Sequence, residues 1–343
     1  MILVLDSGME EKQQQDLCLK LQKRGFYTRL VSQYGQLVLS IDGPGEEDCA
    51  RELSGAKGIL EIIPGRYSYF LASRRCHRKN SQIRAGRPGG NEVVFGGDEA
   101  VMIGGPCAIE SEEETVSLAR RISAAGCRVF RGMIFKPRSS PYSFQGLGRA
   151  GIGILDRIRA ETGLLILTEV RDQLEAEMVV DHADIIQVGT RNMSNFQLLR
   201  HLGSIPRPVL LKRGMGSSIE ELLCAAEYLL AHGNADVILC ERGIRTFEHF
   251  TRFSLDIGAV PALKELSHLP VIVDPSHACG RSSLVEPLAL AALAAGADGL
   301  MLEVHHQPES SFSDGAQSIN PDEFCRLLEC ARKVTEAVGR KLA

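Results

Sequence analysis

Short, largely apolar runs alternate with amphipathic stretches from residue 93 to the end of the chain, and the alternation repeats eight times. Apolar runs of three or four residues fit strands buried on both faces, and strands that alternate with helices predict a parallel sheet. Eight such units in roughly 250 residues match a (β/α)8 TIM barrel better than an open doubly wound sheet. No GxGxxG sequence follows any run, which argues against a dinucleotide-binding fold. The predicted strands are Val101–Gly104, Arg128–Phe130, Leu165–Leu167, Ile185–Val188, Val209–Leu211, Val237–Leu239, Val271–Val273 and Gly299–Leu302. The predicted helices include Ser111–Ala124, Leu147–Glu161, Ser218–Ala231, Ser283–Ala295 and Pro321–Ala337.

Residues 1–73 have a different pattern, which predicts a ferredoxin-like βαββαβ domain. Its strands are expected at Met1–Leu5, Phe26–Ser32, Gln36–Ile41 and Ile59–Ile63, and its helices at Glu10–Lys23 and Glu46–Leu53. Residues 74–92 are basic and rich in Gly and Pro, which favours a solvated linker over a functional charge run. We therefore expect a ferredoxin-like domain at 1–73, a linker at 74–92 and a catalytic barrel at 93–343.

The composition favours a small-molecule partner in the cytoplasm. A net charge of -4 gives no electrostatic reason to expect nucleic acid or an anionic membrane as the main partner. The first residues lack the basic region of a signal peptide, and no stretch is apolar for long enough to span a bilayer. The 10 cysteines show no CxxC pair, a pattern typical of reduced cytosolic thiols.

Cationic residues recur just after the predicted strands, where a β/α barrel keeps its active site. A single Arg or Lys at such a position is more often a solvated charge at the rim. What indicates a ligand site is that cations recur after the second, fourth, fifth and sixth strands. Because clustered like charges repel each other, this recurrence of cations predicts a polyanionic ligand with phosphate and carboxylate groups. The residues are Arg131, Lys136 and Arg138, then Arg191, then Lys212 and Arg213, then Arg242 and Arg245.

Cys107, His277, Glu303 and Asp314 form a second set at the same predicted face. Considered singly, a Cys is often a small buried hydrophobe and a His a structural residue. Together they offer one sulfur, one nitrogen and two carboxylates, a mixed set suited to a divalent transition metal. We expect one ion of Mn, Fe, Co or Zn.

These strand ends resemble the active-site motifs of the 3-deoxy-D-arabino-heptulosonate 7-phosphate (DAHP) synthase family. The resemblance covers the chain from about residue 100 onward, and the N-terminal unit resembles the ferredoxin-like domain of the type Iβ branch in topology. The matching segments are Gly104–Ser111, Arg131-Gly132, Lys136–Ser139, Gln187–Asn192, Leu210–Met215, Glu241–Thr246, Asp274–His277 and Glu303–His305.

The resemblance implies a transferase that condenses phosphoenolpyruvate (PEP) with erythrose 4-phosphate in the shikimate pathway. The family's metal ligands fall on the four residues named above, with Cys107, His277 and Lys136 in catalytic roles. Lys136 is our hypothesised proton donor to the new alkoxide. The implied PEP contacts are Arg131, Lys136, Arg191, Lys212 and Arg242, and the implied erythrose 4-phosphate contacts are Lys136, Pro137, Arg138 and Ser139.

Two other functions remain open at this point. One is 3-deoxy-D-manno-octulosonate 8-phosphate synthase, which uses arabinose 5-phosphate and typically carries Lys-Ala-Asn-Arg-Ser where this chain has Lys136-Pro-Arg-Ser-Ser140. The other is a non-catalytic amino-acid sensor built on the same barrel.

The resemblance also implies feedback inhibition by an aromatic amino acid, Tyr or Phe, through the N-terminal domain. The predicted linker leads us to expect that this domain docks over the barrel mouth and gates access. The alternative is an oligomerisation domain without an effector site. We expect a homotetramer. Cys279 stands two residues beyond His277, so a reversible disulfide with Cys107 in the metal-free protein is a further hypothesis, against an inert packed thiol.

Overall fold

The computed structural model describes residues 1–65, 69–87, 89–138 and 140–343. Within these ranges, eight parallel strands form a closed barrel in which each strand pairs with the next and the last pairs with the first. This confirms the predicted (β/α)8 barrel. The barrel strands are β7 (Glu99–Gly105), β8 (Val129–Arg131), β9 (Leu165–Val170), β10 (Ile185–Val188), β11 (Val209–Lys212), β12 (Val237–Glu241), β13 (Val271–Val273) and β14 (Gly299–Glu303). A short strand, β15 (Lys341–Leu342), pairs with the start of β7.

Helices cover the outside of the barrel and follow the strands in order. Their bounds are α3 (Glu112–Ala124), α4 (Ile152–Thr162), α5 (Gln173–Val179), α6 (Phe196–Leu202), α7 (Ile219–Ala231), α8 (Ala259–Leu266), α9 (Pro275–Cys279), α10 (Ser282–Ala294) and α11 (Pro321–Ala337). Capping boxes at Ser218 and Asn320 begin α7 and α11 where the sequence predicts them. Helix α4 begins five residues later than Leu147, because a 3₁₀ turn at Gly148–Gly151 comes first.

The interval 74–92, interpreted above as a linker, contains ordered structure. Strands β5 (Ile83–Gly86) and β6 (Glu92–Phe95) form an antiparallel hairpin. The side chains of Ile83, Ala85, Val93 and Phe95 are buried against the barrel interior, in one cluster with residues of β7 to β14. Since β6 leads directly into β7, this hairpin closes the amino-terminal end of the barrel and leaves the carboxyl end for chemistry.

The N-terminal unit has the predicted ferredoxin-like topology. Strands β1 (Ile2–Leu5), β2 (Tyr27–Gln33), β3 (Gln36–Asp42) and β4 (Ile59–Ile63) form an antiparallel sheet in the order β2-β3-β1-β4. Helices α1 (Glu11–Lys23) and α2 (Glu46–Leu53) complete a small core of their own around Leu3, Leu21 and Leu39.

The N-terminal unit contacts the barrel at the end opposite to the mouth. Arg29 Nη2 donates to the carbonyl of Ala231 at 2.9 Å, and the Tyr34 hydroxyl donates to the carbonyl of Ala235 at 3.0 Å. Ala231 ends α7 and Ala235 precedes β12, so both carbonyls lie where the barrel strands begin. Docking over the mouth is therefore not the arrangement within this chain, and a gating role stays a prediction.

The described part of the chain contains no helix long and apolar enough to cross a membrane.

Candidate metal centre and anion cavity

Four predicted metal ligands converge at the carboxyl end of the barrel. Cys107 follows β7, His277 lies in α9 just after β13, Glu303 ends β14, and Asp314 lies in the loop that follows. One donor atom from each of the four lies within 4.8 Å of the donors of the other three. The sequence prediction of a mixed sulfur, nitrogen and carboxylate set is thus matched by the geometry.

The imidazole of His277 is oriented by a carboxylate. Pro275 begins α9 and Asp274 caps it, because its Oδ1 accepts from the backbone N–H of His277 at 3.0 Å. The other oxygen, Oδ2, accepts from His277 Nδ1 at 2.8 Å, which leaves the lone pair of Nε2 facing the cluster. Burial lowers the pKa of His277 to about 4, against the opposing pull of Asp274 and Glu303. A neutral imidazole with a free Nε2 is the form that binds a metal.

Cys107 lies between a cation and a carboxylate. Lys136 Nζ donates to Cys107 Sγ at 2.5 Å, and the thiol donates to Asp314 Oδ2 at 3.0 Å. Burial alone would lower the pKa of Lys136, but Cys107, Glu303 and Asp314 raise it above its ordinary value, so the ammonium stays protonated. The pKa of Asp314 is held well below its usual range, because Lys136 and His277 outweigh the effect of burial.

The donor set fits a divalent transition metal. Among the described residues, Glu303 Oε1 is fully buried and accepts no hydrogen bond, although Arg131 Nη2 and His277 Nε2 lie 3.1 and 3.2 Å away. Arg131 compensates the charge of this carboxylate, while the oxygen that accepts no hydrogen bond keeps its lone pairs available to a metal ion. Thiol, imidazole and two carboxylates are ligands that Mn, Fe, Co and Zn accept.

A cavity of about 250 Å³ opens beside this cluster and is lined mainly by polar and charged residues. Four of the five predicted PEP contacts line it: Lys136, Arg191, Lys212 and Arg242. The fifth, Arg131, is 1% exposed and lies against Glu303. Its Nε and Nη1, like Nε of Arg242, have no hydrogen-bond partner within the described residues. Unpaired buried guanidinium donors are suited to an anionic ligand.

Not every strand-end cation carries an uncompensated charge. Lys212 forms an ion pair with Asp274, the carboxylate that also orients His277. Arg213 bonds Glu241 at 2.8 Å and Asp256 at 2.9 Å. Buried carboxylates therefore compensate part of the positive charge of the cations that follow the strands.

The predicted aldose-phosphate motif lies at the cavity edge. Pro137 and Arg138 line the cavity, and Arg138 Nη1 donates to the Ser313 hydroxyl at 2.6 Å. That hydroxyl lies 3.6 Å from Cys107 Sγ, so the motif is linked to the metal cluster. The prediction for Ser139 falls outside the described residues.

Three cavity or cluster residues were not anticipated in their roles. Glu169 lines the cavity, and its Oε2 accepts from Gln187 Nε2 at 2.7 Å, which links β9 to β10. Arg252 and Gln317 bond the acidic residues of the cluster. Neither follows a barrel strand directly, and no residue pattern marks them. Only the Asp-x-x-Gln spacing of Asp314 and Gln317 within one 3₁₀ turn offers a signal.

Cys279 is not bonded to Cys107. Neither of the two forms a disulfide, and Cys279 Sγ donates to the carbonyl of Arg281 at 3.2 Å. The disulfide hypothesis stays a prediction for the metal-free, oxidised protein.

The fold and the site together define a (β/α)8-barrel protein with a candidate metal-binding cluster and a cation-lined cavity at its mouth. Residues 77–340 match the DAHP synthetase I family. A phospho-2-dehydro-3-deoxyheptonate aldolase from Thermotoga maritima is 40% identical over 342 residues, which covers 100% of both chains. Its crystal structure, described as a DAHP synthase, superposes with a TM-score of 0.79, covering 100% of this chain and 99% of that one at 39% identity. The chain belongs to the DAHP synthetase I family.

A more distant relative covers a smaller part of the chain. The 2-dehydro-3-deoxyphosphooctonate aldolase of Syntrophotalea carbinolica is 30% identical over 257 residues, which is 69% of this chain and 92% of that protein. The full-length match to the Thermotoga maritima protein therefore outweighs it.

Proposed function

We propose that this protein is a metal-dependent DAHP synthase, which condenses PEP with erythrose 4-phosphate to give DAHP and inorganic phosphate. The observation that carries the proposal is the metal cluster beside a cation-lined cavity, in a chain that matches the Thermotoga maritima DAHP synthase over its full length. This reaction is the first step of the shikimate pathway, in which chorismate and the aromatic amino acids are made.

In this proposal Cys107, His277, Glu303 and Asp314 hold one divalent ion of Mn, Fe, Co or Zn. The ion supplies a Lewis acid that polarises the aldehyde of the second substrate. Asp274 fixes the ring of His277, and Oε1 of Glu303, which accepts no hydrogen bond within the described residues, offers a buried anionic ligand atom.

The proposed PEP site consists of Arg131, Lys136, Arg191, Lys212 and Arg242. The unpaired donors of Arg131 and Arg242 give the phosphate and carboxylate fixed hydrogen-bond partners in a buried setting. Held in this way, carbon 3 of PEP faces the aldehyde carbon, and the new carbon–carbon bond forms between them. The same cations stabilise the charge that develops as water adds to carbon 2 and phosphate leaves.

Erythrose 4-phosphate is proposed to bind through Lys136, Pro137, Arg138 and Ser139. Lys136 belongs to both substrate sites and is protonated next to Cys107 and Asp314. These contacts support the proposal that its Nζ donates a proton to the aldehyde oxygen as this becomes a hydroxyl. Arg138 suits the phosphate of the shorter aldose.

A PEP-consumption assay tests the function. The purified protein is supplied with erythrose 4-phosphate or arabinose 5-phosphate, each with added divalent metal and with a chelator. Turnover with erythrose 4-phosphate that the chelator abolishes supports the proposal. Turnover with arabinose 5-phosphate alone would instead assign the octulosonate reaction, and no turnover in any metal-loaded sample would refute an enzymatic role and favour a sensor.

Regulation, assembly and location are further parts of the proposal. We propose that the N-terminal unit responds to Tyr or Phe, and that the protein is a cytoplasmic homotetramer. In support, this unit has its own core and specific hydrogen bonds to the barrel through Arg29 and Tyr34. Light scattering of the purified protein, with and without each amino acid, tests the assembly, and a single tetrameric mass is the expected result.

A further inference from the structure

We propose that Arg252 and Gln317 are positioning residues, which tie the two acidic residues of the metal cluster together and thereby set its affinity for metal. The inference rests on the metal site of the proposed function and adds to it two side chains that are not themselves ligands.

A continuous chain of hydrogen bonds joins the two carboxylates. Arg252 Nη1 donates to Asp314 Oδ1 at 3.0 Å and to Gln317 Oε1 at 2.9 Å. Gln317 Nε2 in turn donates to Glu303 Oε2 at 2.6 Å. In each carboxylate the bridge occupies one oxygen, while the other oxygen, Asp314 Oδ2 or Glu303 Oε1, faces the cluster. The bridge therefore restrains both acids without blocking their ligand atoms.

The amide of Gln317 can take only one orientation here. Its Oε1 must face the guanidinium, which only donates, and its Nε2 must face the carboxylate, which only accepts. The side chain is 2% exposed, so a flipped amide would leave two donors opposed and two acceptors opposed without water to separate them. This makes Gln317 a rigid spacer between Arg252 and Glu303.

Arg252 is itself held in place by the segment that carries His277. Its backbone N–H donates to the carbonyl of Cys279 at 3.0 Å, and that of Phe253 donates to Ala278 at 2.8 Å. A Cβ at Gly280 would lie 2.6 Å from Cβ of Arg252, and Gly280 has φ +69°, so this close approach requires glycine. The backbone of Arg252 is thus fixed against the segment that carries His277, from where its guanidinium reaches Asp314 and Gln317.

Asp314 has particular need of such a restraint. It lies in a loop and has left-handed backbone geometry, φ 57°, which is uncommon for a residue other than glycine. The preceding part of this loop is fixed by Glu110, whose Oε1 accepts from the Ser311 hydroxyl and from the Phe312 N–H. Arg252 restrains the side chain of Asp314 in a similar way, because its Nη1 donates to Asp314 Oδ1.

Loss of the Arg252 side chain should weaken metal binding if Arg252 positions the acidic residues, but strengthen it if only the positive charge of Arg252 matters. A cation beside a metal site repels the metal, so removal of its charge alone would tighten metal binding. Loss of a side chain that orients a ligand weakens binding by about 10- to 100-fold. The direction of the change in metal affinity therefore distinguishes a side chain that orients the ligands from one that acts only through its charge.

The test is a titration of the metal-free protein with Co(II), followed by the thiolate-to-metal charge-transfer band and by calorimetry, without substrate. We expect Arg252→Met to bind Co(II) about 10- to 100-fold more weakly than the wild type. Arg252→Lys is expected to recover part of the loss, because an ammonium can donate to both acceptors. Arg281→Met is the control: Arg281 Nε donates to the carbonyl of Phe250 and not to the bridge, so the substitution removes a cation of the same segment while the bridge remains.

A second variant tests the connection from its other end. Gln317→Met is expected to weaken binding in the same direction, and the double variant should lose less than the sum of the two, because both substitutions break one bridge. If the wild type takes up no metal, the proposed function fails. If the wild type binds and Arg252→Met binds as tightly or more tightly, or if the two losses are additive, the bridge does not set the affinity and this inference alone is overturned.

Discussion

Protonation of His268 should weaken the attachment of the N-terminal segment to the barrel. This residue is 1% exposed and precedes β13. Its Nε2 donates to the carbonyl of Leu71 at 2.7 Å, its Nδ1 accepts from the Ser81 hydroxyl at 2.8 Å, and its ring packs edge-on against that of Tyr34 at 4.7 Å. The neutral ring therefore satisfies both nitrogens within the protein.

The size of the effect follows from the pKa. Burial, reinforced by the nearby His77 and Arg74, lowers the pKa of His268 from 6.5 to about 4. The folded protein then binds fewer protons than the unfolded chain between these values, so the stability is present above pH 6.5 and is lost as the pH falls toward 4. At 1.36 kcal/mol per pH unit, the full loss is about 3 kcal/mol, of which about 2 kcal/mol falls between about pH 7 and about pH 5.

The pH-dependent contribution of His268 to stability is measured by urea unfolding of the wild type and of His268→Gln at about pH 7 and about pH 5. Glutamine does not titrate, whereas the other groups respond alike in both proteins, so the difference between them isolates His268. The wild type should be the more stable protein at about pH 7, and its advantage should shrink by about 2 kcal/mol at about pH 5. An advantage that is the same at both pH values would refute the reasoning, because His268 would then not be held neutral by the fold.

Three further outcomes are expected. Lys136→Met should retain its metal but lose about 10²- to 10⁴-fold in kcat, because the proposed proton donor is removed; a loss below tenfold would contradict that role. Gly189→Ala should cost about 1 to 3 kcal/mol of stability in thermal unfolding and raise KM for PEP, because the new Cβ would lie 2.0 Å from Glu169 Oε1. The control Gly153→Ala should instead stabilise the protein by about 0.5 to 1 kcal/mol, because no atom lies within 4 Å of its new Cβ. Deletion of residues 1–65 should abolish inhibition by Tyr or Phe and preserve turnover, and unchanged inhibition would exclude regulation by the N-terminal unit. A solved structure of a truncated form of the Thermotoga maritima DAHP synthase, which covers 80% of this chain, supports the design of this variant.

The barrel could be predicted because its signal is local and repeated. Each strand is a short apolar run next to an amphipathic helix, and β10 and β13 have the predicted bounds. The hairpin at Ile83–Phe95 was less accessible, because its strands are short and lie among basic residues and glycines that also suit a linker. What makes it a hairpin is the apolar barrel end that it covers, which is formed by residues far along the chain.

The convergence of the candidate metal ligands could also be predicted, because it follows from the common direction of the strands. In a parallel barrel all strands point the same way, so Cys107, His277 and Glu303, each just beyond a strand, had to meet at one end. Their residue types alone then suggested a transition metal.

Only the tertiary structure decided which charges remain available and which side chains orient the ligands. Lys212 and Arg131 look alike as cations after a strand and both lie beside buried carboxylates, but only Arg131 has guanidinium donors without a hydrogen-bond partner among the described residues. Arg252 reaches Asp314 across 62 residues of sequence. The sequence by itself therefore determined the barrel and the convergence of the candidate ligands, because strand direction places them. Hydrogen bonds and ion pairs between loops distant in the chain, which no local pattern encodes, decided how the charges of the site are compensated.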